Sequence, residues 1–154
     1  MTREARTAPT GHRAVLPITV RWAECDAAGI LYHARVFDWF SEGRLAWLRG
    51  IGHAYYDDWR ARGIDLLVRE ANATFDRAMR PGDDLSLVVW VDGRQGARLR
   101  FRYTVRHQGH VTVEGFTEHV FVKDGRAINL VRVAADLDQA VEEAMTAVPS
   151  PSAY

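Results

Sequence analysis

Residues 34–51 have the sequence ARVFDWFSEGRLAWLRGI, and this stretch decides the fold class. Its large apolar side chains recur at three- and four-residue steps, a spacing that places them on one face of a helix. The members of this stripe are Val36, Phe37, Phe40, Trp47, Leu48 and Ile51. Gly43 and Ala46 give the same helix a small-residue face. The spacing therefore predicts one long helix that must bury its stripe against another element.

Segments of β type lie on both sides of this helix. Before it, residues 15–22 form a β-type run in which Pro17 favours the start of a strand or a sheet edge. After it, a short helical piece over residues 53–62 stops at Gly63. Strands are then predicted over 64–75, 84–91, 97–106, 111–123 and 126–133, with a last helix over 136–148. This order indicates an α+β fold in which the long helix lies across an antiparallel sheet.

One predicted strand shows on which side the sheet is covered. Residues 98–106, RLRFRYTVR, alternate between an apolar face and a face that is nearly all arginine. Such a strand belongs to a sheet that is packed on one side only. Glu114 and Glu118 of the next strand reach the arginine face only if the intervening hairpin at Gln108 has an odd loop or a bulge.

Composition limits the class of protein. The chain has 154 residues, 47% hydrophobic and 26% charged, which suits one domain with a core. The 20 basic and 20 acidic residues cancel, which disfavours binding to nucleic acid or to an anionic membrane. We expect a folded domain over residues 14–148, with flexible segments at 1–13 and 149–154.

Cysteine usage and the chain ends bear on location. The one cysteine, Cys25, can form neither an internal disulfide nor a cysteine-based zinc site. Residues 1–13 lack the apolar core of a signal peptide, and no window reaches the roughly 18 apolar residues of a membrane-spanning helix. These features predict a cytoplasmic protein.

Residues 21–33, RWAECDAAGILYH, connect the first strand to the long helix. This segment places the carboxylate of Asp26 beside the positive end of that helix. The first N–H groups of a helix lack intrahelical partners, so an oxyanion that develops there is stabilised. A carboxylate held nearby can attack a carbonyl or activate a water. The segment thus contains the two groups that hydrolysis of an activated acyl group requires at a minimum, a carboxylate and a site that stabilises an oxyanion.

Residues 24–33, ECDAAGILYH, followed by an aromatic-rich helix, resemble the signature of hot-dog-fold acyl-CoA thioesterases of the 4-hydroxybenzoyl-CoA thioesterase type. The resemblance covers roughly residues 14–133 and includes 71–75 and 80–85. It implies a hot-dog fold, with one long central helix wrapped by an antiparallel sheet of five to six strands. It also implies hydrolysis of an acyl-CoA or acyl-carrier-protein thioester to a free acid and a thiol. No metal or redox cofactor is implied, and coenzyme A is part of the substrate.

The resemblance also assigns residues to roles. Asp26 matches the catalytic aspartate, which acts either as a nucleophile or as a general base for water. His33 falls where a helix-terminal backbone N–H polarises the thioester carbonyl. Gly29 matches the position where the backbone comes close to the thioester, and Tyr32 should line the acyl pocket.

Two further substrate contacts and an assembly are implied. Ser41 stands where the hydroxybenzoyl branch has an acidic residue, so this position bears on acyl specificity. Arg80, before Pro81 and Gly82, is either part of a solvated turn or a contact to a coenzyme A phosphate. Family members build their sites between two subunits whose sheets join, so a homodimer or homotetramer is implied.

Other interpretations of the same residues stay open. Asp-x-x-Gly is also a common turn in which the Asp side chain bonds its own backbone. Cys25 with His33 as a nucleophilic pair is disfavoured, because neighbouring residues of an extended segment point to opposite faces. The histidines lack a metal-ligand spacing. A non-catalytic acyl-thioester-binding module is one alternative function. A hot-dog hydratase or dehydratase is another, but its Asp-x-x-x-x-His pattern would need a histidine in place of Leu31.

Overall fold

A computed structural model describes residues 11–148. Six antiparallel strands form one sheet around a long helix, α1 (Val36–Gly50). The strands are β1 (Ala14–Thr19), β2 (Ile64–Phe75), β3 (Asp84–Gln95), β4 (Arg98–His107), β5 (His110–Lys123) and β6 (Arg126–Ala127). Their order is β1-β3-β4-β5-β2, with β6 paired to β5, so β1 and β2 are the outer strands. The predicted hot-dog arrangement of five to six strands around one helix is confirmed.

Helix α1 packs closest to β1 and β3. Gly43 makes this approach possible, because a Cβ atom there would lie 2.6 Å from Cγ2 of Val89 on β3. Farther across the sheet, the Phe40 ring stacks on Tyr103 with their centroids 4.0 Å apart. Trp47 meets Phe101 edge to face at 5.4 Å. The predicted apolar stripe of the helix is therefore the centre of the core.

Most predicted elements are confirmed, with small differences at their ends. Short helical turns replace the predicted helix before β2, and the left-handed Gly63 (φ 72°) ends them. The strand predicted over 126–133 is wrong beyond its first two residues, since α2 (Leu130–Val133) follows β6. The Asn129 side chain accepts a hydrogen bond from the Val131 N–H and caps this turn, which buries Leu130. The last helix, α3, spans Ala135–Thr146.

The hairpin between β4 and β5 contains a bulge, which is one of the two geometries that allow Glu114 and Glu118 to reach the arginine face. Its turn holds two residues of positive φ, Gln108 (49°) and Gly109 (79°). A shift in pairing between Val105 and Arg106 then supplies the extra residue. The bulge is the feature that lets the acidic residues of β5 reach the arginine face.

The arginine face of the sheet is ion-paired. Glu118 lies opposite Arg100, and its Oε1 is 3.6 Å from Nη1 of Arg98. Arg100 and Arg102 both bond Asp92 of β3, with nitrogen–oxygen distances of 3.0 and 2.5 Å. The alternation along β5 predicted the acidic partner on that strand, whereas no sequence signal pointed to Asp92. Arg98, Arg100 and Arg102 of this face therefore form cross-strand ion pairs.

Residues 11–13 lie between α1 and α3. The Trp47 indole N–H donates to the His12 carbonyl at 3.0 Å, and the His12 N–H donates to the Ala144 carbonyl. The remainder of the predicted flexible segments, 1–10 and 149–154, lies outside the described residues.

A buried histidine makes the stability of the domain depend on pH. His119 of β5 has no exposed surface, and burial followed by the charge of Arg44 lowers its pKa to about 4 from the ordinary 6.5. The unfolded chain therefore binds a proton at a higher pH than the folded protein does. The free energy of unfolding should fall between pH 6.5 and 4, by at most about 3 kcal/mol from this group.

Urea unfolding of the wild type, His119→Gln and His110→Gln at pH 7 and pH 4.5 checks this expectation. His119→Gln should lose less stability on acidification than the wild type does. His110, an exposed imidazole on the same strand, is the matched control and should leave the wild-type dependence unchanged. Equal pH dependence in all three proteins would contradict the assignment.

Candidate active site

The loop after β1 closes on itself before it enters α1. The Asp26 N–H donates to the Ile30 carbonyl at 3.0 Å, and the Gly29 N–H donates to the Asp26 carbonyl at 2.9 Å. One residue outside this turn, Cys25 pairs with Leu31 as an isolated β-bridge. The turn containing Asp26 is therefore fixed at both ends by backbone hydrogen bonds.

The two carboxylate oxygens of Asp26 have different surroundings. Oδ1 accepts a hydrogen bond from the Ala28 N–H at 2.8 Å, so the side chain does form the turn that Asp-x-x-Gly commonly makes. Oδ2 has no hydrogen-bond partner among residues 11–148, and the side chain is exposed. One oxygen thus orients the carboxylate, and the other is free to act on a substrate or a water.

Gly29 and Tyr32 lie on the same loop with different roles in its shape. Gly29 has φ 74°, and a Cβ atom there would meet nothing within 4 Å. The loop needs glycine at this position for its left-handed backbone. Tyr32 is 44% exposed, and its ring meets His33 edge to face with centroids 4.6 Å apart.

His33 opens the helical segment that continues into α1. Residues His33–Arg35 form a 3-10 turn, whose Arg35 N–H donates to the Tyr32 carbonyl at 2.9 Å. Within residues 11–148, no acceptor takes the His33 N–H, as expected for the first residue of a helical segment. The loop that carries Asp26 therefore ends at this free N–H, at the positive end of α1.

Glu24 anchors this loop to α1, a role that the sequence did not reveal. The side chain is 4% exposed and accepts from the Trp39 indole at 3.1 Å, the Arg21 N–H at 2.9 Å and the Arg21 guanidinium at 3.0 Å. Its backbone carbonyl accepts from the Tyr32 N–H at 2.9 Å. Burial alone would raise the pKa of Glu24, but these hydrogen bonds outweigh it and leave the pKa below its ordinary value. A buried carboxylate thus sets where the loop sits against the helix.

The thiol of Cys25 is unsuited to nucleophilic attack. Burial, followed by the charges of Asp26, Glu24 and Asp83, raises its pKa above the ordinary 9.0. Its Sγ lies 3.7 Å from the Arg21 carbonyl. A thiol with a raised pKa is protonated at neutral pH, which leaves Asp26 as the candidate reactive group of this loop.

Arg80 is brought close to the loop by its neighbour in sequence. The Met79 carbonyl accepts the Leu31 N–H at 2.8 Å, which fixes this segment against the Asp26 loop. Next to it, the Arg80 N–H donates to Oδ2 of Asp83 at 2.7 Å in an exposed turn. The Arg80 side chain is exposed on the surface beside the site.

Ser41 lies farther along α1. Its hydroxyl donates to the Phe37 carbonyl at 3.0 Å and accepts from Nη2 of Arg44 at 3.0 Å. The structure therefore groups Asp26, Gly29, Tyr32 and His33 in one loop and helix start, with Ser41 two helical turns beyond His33.

Within residues 11–148, no cluster of three or more histidine, cysteine, aspartate or glutamate side chains is arranged to hold a metal ion. In the same range, no helix is long and apolar enough to cross a membrane.

Comparison with known proteins gives a family. The family model described as the thioesterase-like superfamily matches residues 20–145. YneP of Bacillus subtilis (strain 168), which carries the provisional name of an acyl-CoA thioesterase, is 26% identical over 106 residues. Those residues are 68% of this chain and 76% of YneP.

Solved structures share the fold. A DHNA-CoA thioesterase from Staphylococcus aureus has a TM-score of 0.81 and 25% identity, covering 85% of this chain and 89% of its own. A 4-hydroxybenzoyl-CoA thioesterase variant, solved with 4-hydroxybenzoyl-CoA, has a TM-score of 0.73 and 19% identity, covering 84% and 98%. The chain therefore belongs to the thioesterase-like superfamily, as a thioester hydrolase of hot-dog fold.

Proposed function

We propose that the protein hydrolyses an acyl-CoA thioester to a free carboxylic acid and a thiol, with Asp26 as the catalytic carboxylate. The observation that carries this proposal is the free Oδ2 of Asp26 on a loop that leads directly to the unpaired His33 N–H. The thioester carbonyl oxygen would accept from that N–H at the positive end of α1. Asp26 would attack the carbonyl carbon or direct a water at it. Overall, water supplies the hydroxyl of the acid and the proton of the thiol.

Coenzyme A is the thiol that the relatives favour. The names of YneP and of the Staphylococcus aureus structure both specify a CoA thioester. The alternative within this proposal is a substrate whose thiol belongs to an acyl carrier protein. The chemistry as proposed needs no metal or redox cofactor, and a cytoplasmic location fits a CoA-dependent reaction.

A hydratase is less well supported by the site. The position five residues after Asp26 is Leu31, a buried apolar side chain, and the nearest histidine is the exposed His33. A purely binding module would have no use for a carboxylate oxygen left free beside the helix start. Thiol release by the wild type from benzoyl-, hydroxybenzoyl-, phenylacetyl- and aliphatic acyl-CoAs tests the proposal. Absence of release from every CoA and carrier-protein thioester would overturn it.

The exposed edge of β2 supports an assembly of two or more copies. This strand has 12 residues, and within the described range 11–148 only β5 pairs with it, along one side. Along it, Leu67 is 52% exposed, Val68 is 54% exposed and Phe75 is 41% exposed. A long edge strand with exposed apolar side chains is a ready template for pairing with another chain. We propose that the β2 strands of two subunits pair and that the dimer, or a tetramer built from it, is the active form.

Val68→Asp should weaken this pairing, because it places a charge in the apolar edge. The expected result is a shift toward monomer in size-exclusion chromatography with light scattering, together with lower thiol release. Val15→Asp on the opposite edge strand, where Val15 is 44% exposed, is the matched control and should keep the wild-type assembly. A monomeric wild type, or an unchanged Val68→Asp oligomer, would contradict the proposal.

A further inference from the structure

Arg44 on α1 carries a charge that no carboxylate of residues 11–148 neutralises. Its guanidinium donates to two neutral hydroxyls, to Ser41 through Nη2 at 3.0 Å and to Tyr103 through Nη1 at 3.4 Å. It is half-buried, and no carboxylate of residues 11–148 forms an ion pair with it. The arginines on the outer face of the sheet, by contrast, are held by Asp92 and Glu118. A half-buried guanidinium without an anion is expected to take one from a ligand.

The groups behind Arg44 are polar and neutral. The Tyr103 hydroxyl lies 2.7 Å from Oγ1 of Thr117, which lies 2.8 Å from Nε2 of His119. All three side chains are almost fully buried. Burial, aided by the charge of Arg44, lowers the pKa of His119, so the imidazole is uncharged at neutral pH. This chain of hydrogen bonds fixes the guanidinium but provides no negative charge to balance it.

The helix-facing side of the β5–β2 pair carries small residues near Thr117. On β5, the Phe40 ring packs directly on Gly115, where a Cβ atom would lie 2.8 Å from Cε2 of Phe40. Across the strand pair, Ala73 lies opposite Gly115 and Ala71 lies opposite Thr117, which puts both alanines on the helix side of β2. Ala71 is exposed and Ala73 is half-buried. Helix α1 packs mainly on β1 and β3, and the exposure of Ala71 shows that the helix side of β2 is only partly covered.

Arg44 and the proposed thioester site lie along the same helix. The Arg44 side chain runs back toward the helix start and bonds Ser41, which is five residues, or about 7–8 Å along the axis, from Val36. An acyl group whose carbonyl sits at His33 would extend along α1 toward this guanidinium. Arg44 would then meet the end of the acyl group that is farthest from the thioester.

We propose that Arg44 is a specificity-determining residue that binds a carboxylate at the far end of the acyl group. This inference rests on the proposed thioesterase function and names its substrate class: acyl thioesters that end in a carboxylate. A carboxylate matches the guanidinium in charge and in its two-pronged geometry. Ser41 and Tyr103 are positioning residues, since they hold the guanidinium in place.

Matched pairs of substrates test this inference. Adipoyl-, suberoyl- and sebacoyl-CoA end in a carboxylate, and hexanoyl-, octanoyl- and decanoyl-CoA have the same lengths with a methyl end. The wild type should show a kcat/KM at least about tenfold higher for the better carboxylate-ended members. Arg44→Met should lower kcat/KM for those substrates by about 10- to 100-fold and leave the methyl-ended series within a few-fold.

Controls keep the outcomes distinct. Arg44→Lys should retain part of the preference, and Arg44→Gln serves in place of Arg44→Met if the latter fails to fold. If Arg44→Met slows both series equally, or changes the oligomer without a selective loss, the residue is structural and the inference is wrong. Faster hydrolysis of the methyl-ended series by the wild type would overturn this inference alone. No hydrolysis of any thioester would overturn the proposed function as well.

Discussion

Asp26→Asn is expected to lower kcat for thioester hydrolysis by about 10²- to 10⁴-fold, the usual contribution of a general base or an activating carboxylate. The amide oxygen of asparagine can still accept from the Ala28 N–H, which Oδ1 of Asp26 does at 2.8 Å. The turn should therefore keep its shape, and the free energy of unfolding should change by less than about 1 kcal/mol. The measurement is steady-state thiol release with urea unfolding of the same preparations.

Asp57→Asn is the matched control for this change. Asp57 is also exposed, and it lies in the short helical turn before β2, away from the loop. Its substitution should leave kcat within a few-fold of the wild type. A wild-type kcat in the Asp26→Asn variant would show that Asp26 takes no part in the chemical step.

Glu24→Ala is expected to lower the free energy of unfolding by about 2–4 kcal/mol and to reduce kcat with it. The alanine leaves the buried Trp39 indole and the Arg21 N–H without their acceptor. The loop then loses its anchor to α1, so Asp26 is no longer fixed relative to His33. Thermal or urea unfolding and kcat on the same samples measure the two effects.

Glu42→Ala is the matched control for the loss of Glu24, since Glu42 is an exposed glutamate of α1. It should change stability by less than about 0.5 kcal/mol. A loss at Glu24 no larger than that at Glu42 would contradict the anchoring role.

The stabilising effect of Glu24 should also depend on pH. The folded protein lowers the pKa of Glu24, so its carboxylate contributes fully above the ordinary pKa of 4.5. That contribution is lost as the pH falls through the lower, folded-state pKa. Glu24→Gln should therefore show a weaker loss of stability below pH 4.5 than the wild type, measured by urea unfolding.

The fold was predictable because its signals are local and periodic. The stripe of α1 follows the spacing of a helix, and the strand over Ile64–Phe75 was predicted with its observed ends. The wrong prediction, a strand over 126–133, came from a short apolar run whose capping residue, Asn129, carries a weaker signal than the run itself. The hairpin bulge beside Arg106 was foreseen only as one of two geometries.

The candidate site was predictable only in part, for physical reasons. Residues Asp26 to His33 are contiguous, so one motif contains them. Glu24 and Trp39 are fifteen residues apart, and nothing in a sequence shows that a carboxylate will be buried against an indole. The link from Arg44 to Tyr103 joins a helix to a strand 59 residues away, so it exists only once the sheet has folded.

The most direct test of the central claim is a crystal structure of the Asp26→Asn variant with its best acyl-CoA bound. The thioester carbonyl oxygen should lie within hydrogen-bond distance of the His33 N–H, with the substituted side chain at position 26 beside the carbonyl carbon. A thioester bound away from the start of α1, with the loop empty, would contradict the account.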